Sequence, residues 1–202
     1  MCRHLFLEGP IQMGKSTLLR ELLRPYKDMI GGFASQRMLN DEGRTIGYRI
    51  GPADSTTLTI PFTEGCDLPG VFRIIHEDGN SEKFPEVFDT YGIELLDAAK
   101  GKKLILLDEI GGAELLNTDF REALYDVLAG ETPCIGVIKL NSKASSMSKT
   151  AGYSSIVTEY NKSLREKILN EYGGCILPFR RNDDGLKKET EEFLCGIFTT
   201  EQ

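Results

Sequence analysis

Nine residues constrain the fold of this chain more than any others: Gly9-Pro10-Ile11-Gln12-Met13-Gly14-Lys15-Ser16-Thr17. They fit G-x-x-x-x-G-K-[ST], a loop that wraps a polyphosphate in inward-pointing backbone N–H groups. Gly14 lets the backbone come close without a Cβ in the way. Lys15 reaches the β- and γ-phosphates as a point charge, and the Ser16 hydroxyl is placed to ligate Mg²⁺. Such a loop runs from a buried strand into a helix N-terminus, whose dipole favours the anion. The flanks supply both elements. Leu5-Phe6-Leu7 is a short apolar run, and Leu18, Leu19, Leu22 and Leu23 recur at helical spacing.

A second stretch answers the first: Leu104-Ile105-Leu106-Leu107-Asp108-Glu109. Four consecutive apolar residues read as a central parallel strand, buried on both faces. The two acids then fall at its C-terminal end, where ligands bind in open α/β sheets. Asp108 is expected to hold Mg²⁺, and Glu109 to activate an attacking water as general base. Alone, an apolar run ending in Asp-Glu is a strand meeting solvent. Beside the loop it becomes the other half of a site.

Net charge decides which partners to expect. At −7, with a pI of about 5.0, the chain disfavours non-specific contact with nucleic acid or anionic membrane. Positive field for a polyphosphate must come from Lys15, Mg²⁺ and the helix terminus. Cys2, Cys66, Cys134, Cys175 and Cys195 are scattered, odd in number and without a C-x-x-C pair, and the only histidines are His4 and His76. A zinc site is not expected, and reduced thiols fit a cytoplasmic protein. No signal peptide fits ahead of the loop, and no apolar stretch approaches a membrane span. With 202 residues, one domain over 1–202 is expected.

Along the chain, Pro25 marks the end of the first helix, and Met29–Ser35 reads as a second strand. Ser35–Leu39 and Thr45–Ile50 pair as a hairpin around the Asn40-Asp41-Glu42-Gly43 turn, with Gly51-Pro52 ending it. Leu58-Thr59-Ile60 and Val71–Ile75 read as further short strands. Residues 85–100 trace one helix through Val87, Phe88, Tyr91, Leu95, Ala98 and Ala99, with Gly101 after it. Asn117 caps a helix from Thr118 to Ala129, ended by Gly130, and Pro133–Ile138 is a buried strand with Cys134 in the core. Asn141–Ser155 reads as a solvated loop. Ser155–Thr158 reads as a strand, Ser163–Tyr172 as a helix, Cys175–Leu177 as a last strand and Leu186–Ile197 as a last helix.

At this point the chain resembles a known family. The loop, Gly32-Phe33, Gly43-Arg44-Thr45-Ile46-Gly47-Tyr48, Asp108-Glu109-Ile110-Gly111, Glu114-Leu115-Leu116 and Asp119-Phe120 occur in one order. Together they look like the thermophile-type nucleoside-triphosphatases, which include the cancer-related human enzyme. The likeness covers about 1–172 and leaves 173–202 as a C-terminal extension. It implies an α/β, three-layer, RecA-like P-loop NTPase fold, with a mostly parallel central sheet and an antiparallel hairpin insertion. It also implies Mg²⁺-dependent hydrolysis of nucleoside triphosphates to diphosphates, weak selectivity for the base, and Glu109 as catalytic base. The chain departs from the family's pattern at Gln12, where glycine is usual; at Gly112-Ala113, in place of Lys-Met; at Ser35-Gln36-Arg37, in place of Glu-Val-Arg; and at Asn161-Lys162, in place of Asn-Arg.

Several residues keep two readings. Arg37 reads as a surface arginine at a strand end, with phosphate contact as the alternative. Glu114 is either a surface glutamate ahead of a helix or an organiser of the site. Arg180-Arg181 is a solvated pair or a lid over phosphate. Asn161-Lys162-Ser163-Leu164 lacks the acid that guanine selection needs, so Asn161 is expected to meet several bases, and ATP, GTP, CTP and UTP are all expected substrates. Two further functions stay open beside hydrolysis: a P-loop kinase acting on a small molecule or nucleotide, and a slow nucleotide-dependent switch.

Overall fold

The computed structural model describes residues 2–55, 57–63, 67–141 and 155–199. Within them the strands are β1 (His4–Glu8), β2 (Ile30–Leu39), β3 (Thr45–Pro52), β4 (Thr59–Pro61), β5 (Val71–Ile75), β6 (Ser81–Lys83), β7 (Leu104–Ile110), β8 (Cys134–Ile138) and β9 (Gly174–Pro178). The α-helices are α1 (Lys15–Leu23), α2 (Tyr91–Asp97), α3 (Thr118–Ala129), α4 (Ser155–Asn170) and α5 (Asp184–Phe198).

One sheet holds all nine strands in the order β6-β5-β3-β2-β7-β8-β1-β9, with β4 beside β2. From β2 to β9 every pairing on this path is parallel; β3, β5 and β6 add an antiparallel wing. Side chains alternate between two cores, as a strand buried on both faces requires. Phe6, Ile105, Leu107 and Cys134 enter the core under α2, α3 and α4, with Leu96, Phe120, Leu124, Leu164 and Ile168. Leu5, Leu7, Leu104, Leu106, Ile135 and Val137 enter the opposite core, under α1 and α5, with Leu19, Leu23, Phe193 and Leu194. This is the expected three-layer α/β fold. Strand β8 separates β1 from β7, so the loop and the acids sit on next-nearest strands.

Several expectations need correction. The second strand and the first hairpin arm are one ten-residue strand, β2, whose first half pairs with β7 and whose residues Phe33 to Leu39 pair with β3. The hairpin does not stop before Gly51-Pro52; both belong to β3. The helix over 85–100 is broken into a 3-10 turn at Pro85–Phe88 and α2. The break falls at Thr90 (φ −110°, ψ −86°), and the preceding Asp89 carboxylate turns away to accept from the Phe120 N–H at 3.1 Å. That bond caps α3, because Asn117, although in the N-cap position, gives its side-chain amide to the Pro85 carbonyl. The expected strand Ser155–Thr158 is the first turn of α4. Val157, Asn161, Leu164 and Ile168 form one buried stripe down that helix, which outweighs the β-branched pair Ile156-Val157. Strand β6 is absent from the sequence reading, and most of the expected loop 141–155 lies outside the described residues. Residues 174–198 are no appendage: β9 pairs with β1 along its length, and α5 closes one core.

A buried histidine ties this half together. His4 gives one ring nitrogen to the Leu128 carbonyl at 3.0 Å, and its Nδ1 accepts from the Cys134 N–H at 2.9 Å. Both bonds hold only for the neutral ring, and burial pushes its pKa down to about 4. Among the described residues no helix is long and apolar enough to cross a membrane.

Candidate active site

The loop leaves β1 and enters α1 through Gly14, which takes a left-handed conformation (φ 103°) and stands at the helix N-cap. Gln12 also has positive φ, at 63°. A side chain there costs about 1 kcal/mol, which gives a physical reason for the glycine of the family pattern. The Lys15 ammonium folds back over the loop, donating to the carbonyls of Gly9 (2.9 Å) and Pro10 (2.7 Å). Residues Ile11 to Thr17 line a cleft of about 630 Å³, and Gly9 and Pro10 are not part of that lining. Phe179, just past β9, lies against Gly9: its N–H donates to the Glu8 carbonyl, and a Cβ at Gly9 would stand 3.2 Å from its carbonyl oxygen.

The acids come to the same cleft. The Ser16 hydroxyl donates to Asp108 Oδ1 at 2.9 Å across 92 residues of sequence. Asp108 is buried, and its Oδ2 has no hydrogen-bond partner among the described residues. Burial pushes its carboxyl up to about 6, helped by Glu109 and opposed by the Ser16 hydroxyl, Arg20 and Lys15. A hydroxyl beside a buried, half-satisfied carboxylate is a donor set that fits a divalent cation such as Mg²⁺. Glu109 sits in a bulge. On the β8 side, Asp108 pairs with Val137 and Ile110 with Ile138, and Glu109 is skipped. The extra residue reverses the alternation, so Ile110 returns to the core of Leu107 while Glu109, half-buried, faces the cleft.

Residues that the sequence reading left ambiguous now have places. Glu114 is buried; it accepts from the Gly112 N–H at 2.7 Å and faces Lys139 at 3.5 Å. It therefore belongs to the site's wall and is no surface residue. Burial opposes the Lys139 charge, but Glu114, Glu109 and Asp108 outweigh it and raise its pKa above the usual lysine value. Arg37 and Arg181 both line the cleft, exposed to solvent. Asn161 is placed differently from the expectation. It lies inside α4, fully buried, with its amide N–H donating to the carbonyls of Gly111 (2.6 Å) and Lys139 (3.3 Å). The expected short strand ahead of it would have carried it to the strand ends, where the nucleotide is expected. The helix instead makes it a strut between the segments that follow β7 and β8.

Sequence reasoning missed three supports, Arg20, Gln36 and Lys139. Arg20 holds the carbonyls of Ser35, Ser55 and Thr57, and Gln36 binds Ser55 and Thr57 from the other side. They fix the segment between β3 and β4 beside α1. A buried arginine within a leucine-rich helix was the available signal. Lys139 had one as well, a cation directly after the central strand β8.

Comparison with known proteins agrees with this geometry. A sequence profile described as NTPase matches residues 4–171. A nucleoside-triphosphatase THEP1 of Thermotoga maritima is 30% identical over 184 residues, covering 89% of this chain and 98% of that protein. Two solved structures share the fold. The solution structure of a human cancer-related nucleoside triphosphatase has a TM-score of 0.61 at 16% identity, covering 99% of this chain and all of that one. The crystal structure of THEP1 from Aquifex aeolicus has a TM-score of 0.60 at 18% identity, covering 95% and 98%.

Proposed function

The chain belongs to the NTPase family, and we infer that it hydrolyses the β–γ anhydride of nucleoside 5′-triphosphates, giving diphosphate and phosphate. One observation carries the mechanism: the loop's Ser16 meets Asp108 at 2.9 Å, and Glu109 is released by a bulge into the same cleft. A triphosphate wrapped by the loop places its γ-phosphate toward these acids. Lys15 exchanges the carbonyls of Gly9 and Pro10 for β- and γ-phosphate oxygens. Ser16 and Asp108 would hold Mg²⁺, which supplies charge neutralisation on those oxygens when bound. Glu109 takes a proton from the attacking water, while Lys139 and Glu114 keep the wall behind it fixed. Lys15 then neutralises charge developing on the leaving diphosphate.

Base selection is proposed to be weak. The carboxylates of the described cleft lining, Asp108, Glu109 and Glu114, belong to the phosphate end, and Asn161 is buried outside that lining with its amide N–H groups on backbone carbonyls. The kcat/KM values for ATP, GTP, CTP and UTP should span less than about 100-fold, or ~2.7 kcal/mol. A turnover panel with Mg²⁺ and no added acceptor tests both parts. Steady phosphate release from all four supports the reading; negligible release, or a 1,000-fold preference for one base, overturns it. Acceptor-dependent diphosphate formation would favour a small-molecule kinase instead, a reading to which Arg181 at the cleft lends support.

A further inference from the structure

The antiparallel wing carries a row of side chains that hydrolysis by water does not use. In the register of the sheet, Arg37 stands opposite Tyr48, Tyr48 opposite Arg73, and Arg73 opposite Lys83. Directly opposed residues share a face, and all four line the same cleft as the loop. Three cations and one ring thus form a line across four strands.

This line is unfavourable as bare structure. Like charges directly opposite each other destabilise a sheet, and Arg73 and Lys83 are such a pair. Among the described residues neither they nor Arg37 has a carboxylate partner. The acids that line the cleft are engaged elsewhere: Asp108 by Ser16, Glu114 by Lys139, and Glu109 within the field of Lys139. Glu82, next to Lys83, pairs with His76 at 3.1 Å. Arg73 Nε is buried without a partner, and the Arg73 guanidinium carbon lies 5.9 Å from the Tyr48 ring centre. Burial, then the charges of Arg73 and Lys139, hold the Lys83 ammonium below the usual lysine range. In a chain of net charge −7, this is a local excess of positive charge without a counter-ion among the described residues.

The row stands across the cleft from the loop. Ala34 pairs with Asp108, and Arg37 lies three residues further along β2, or roughly 10 Å past the acid at about 3.3 Å per residue. Arg73 and Lys83 follow on β5 and β6, and Lys83 lies within the field of Lys139. The row therefore faces the acids from the opposite wall of the cleft, where hydrolysis by water assigns it no role. Its wall is apolar. Phe72 is the extra residue between Val71 and Arg73 in the pairing with β3, and it lines the cleft with Pro85 and Phe88.

We propose that Arg37, Tyr48, Arg73 and Lys83 form a second ligand site, for a nucleoside monophosphate bound alongside the nucleotide in the loop. The cations take its phosphate, and Tyr48, Phe72 and Pro85 take its planar ring. This goes beyond the hydrolase reading and is tested apart from turnover.

The experiment is calorimetric titration of AMP into protein already saturated with ADP and Mg²⁺, with inorganic phosphate as the probe that lacks a ring. ADP is titrated first, so failure of the loop reading shows before AMP is added. The expected result is saturable AMP binding with Kd below ~1 mM, at least ~10-fold tighter than phosphate. Arg73→Gln and Lys83→Gln should each weaken AMP by ~10-fold or more, leaving ADP affinity within ~2-fold. Both variants should melt no lower than the parent, since each relieves a like-charge pair. No AMP binding, equal binding of phosphate, a parallel loss of ADP affinity, or a lower melting temperature in both variants would overturn the proposal.

Discussion

The parallel half of the sheet and its antiparallel wing face one cleft but are built by different physics. Strands β1, β7 and β8 are buried on both faces, and the polar side chains on or just past them are held by hydrogen bonds and an ion pair: Asp108 by Ser16, Glu114 by Lys139 and Gly112, His4 by α3 and β8. Strand β5, in the wing, is half-buried throughout, and the wing brings to the same cleft cations that have no carboxylate partner among the described residues. A site that must hold reacting atoms to within a fraction of an ångström draws its parts from the dense half. The wing can change its ligands at little cost to the fold. On the reading proposed above, chemistry and the selection of further ligands fall to separate parts of one sheet.

The sharpest way to break that division is Lys15→Ala. It should abolish turnover and most nucleotide binding. At about 100 Kd of Mg·ATP the parent gains ~2.7 kcal/mol of stability, and a thermal-shift series should show the variant gaining almost none. An equal shift in the variant would move the nucleotide away from the loop. Next in size is Glu109→Gln, nearly isosteric, which should lower kcat by ~10²–10⁴ with nucleotide affinity kept within a few-fold. Near-parental kcat in a phosphate-release assay would place the base elsewhere, with Glu114 the next carboxylate on the cleft.

Two truncations compare the halves directly. Leu107→Ala opens a hole in a fully buried position and should cost ~2–5 kcal/mol. Ile74→Ala, half-buried in β5, should cost less than ~1.5 kcal/mol, because less area leaves water there. Similar losses by urea unfolding would mean that the wing is as rigidly built as the parallel half. Acid should act on the parallel half too. The folded-state pKa of His4 is depressed to about 4 from 6.5, so protonation favours the unfolded chain as pH falls below 6.5. Stability should drop by about 2 kcal/mol between pH 7 and pH 5 on this account, and His4→Gln should flatten that part of the profile. A variant as acid-sensitive as the parent would remove His4 as the cause. Smallest of all, Gln12→Gly should raise stability by ~0.5–1 kcal/mol by relieving a positive φ, read as a shift in urea midpoint. A loss instead would show that the Gln12 side chain holds the loop.

Much of the parallel half was legible because its signals are local. A glycine-rich loop between an apolar run and a leucine-spaced helix admits one arrangement, and Leu104–Leu107 followed by Asp108-Glu109 has one natural place in it. What stayed hidden depends on contacts between distant residues. The bulge at Glu109 exists only against β8. The break at Thr90 exists because Asp89 serves α3. The first turn of α4 was obscured because its apolar stripe includes a polar member, Asn161, whose partners Gly111 and Lys139 are far away in sequence. The wing's row of Arg37, Tyr48, Arg73 and Lys83 is spread over 47 residues and becomes a row only through register. Strand β6, three residues at an edge, is too short to show any period.

The placing of β1 between β8 and β9 bears on how the protein is made. Its hydrogen-bonding neighbours lie about 130 and 170 residues further along the chain. During translation the phosphate loop therefore leaves the ribosome long before either flank of its strand exists. The nascent chain carries the complete nine-residue motif but no sheet to stretch it across, and Asp108 is still unmade. Affinity for nucleotide should then arise late and abruptly, when β8 and β9 close on β1 and Phe179 seats against Gly9. Chains released or cleaved before that point would bear the sequence of a binding site without its grip, and ligand would give them no protection from proteolysis.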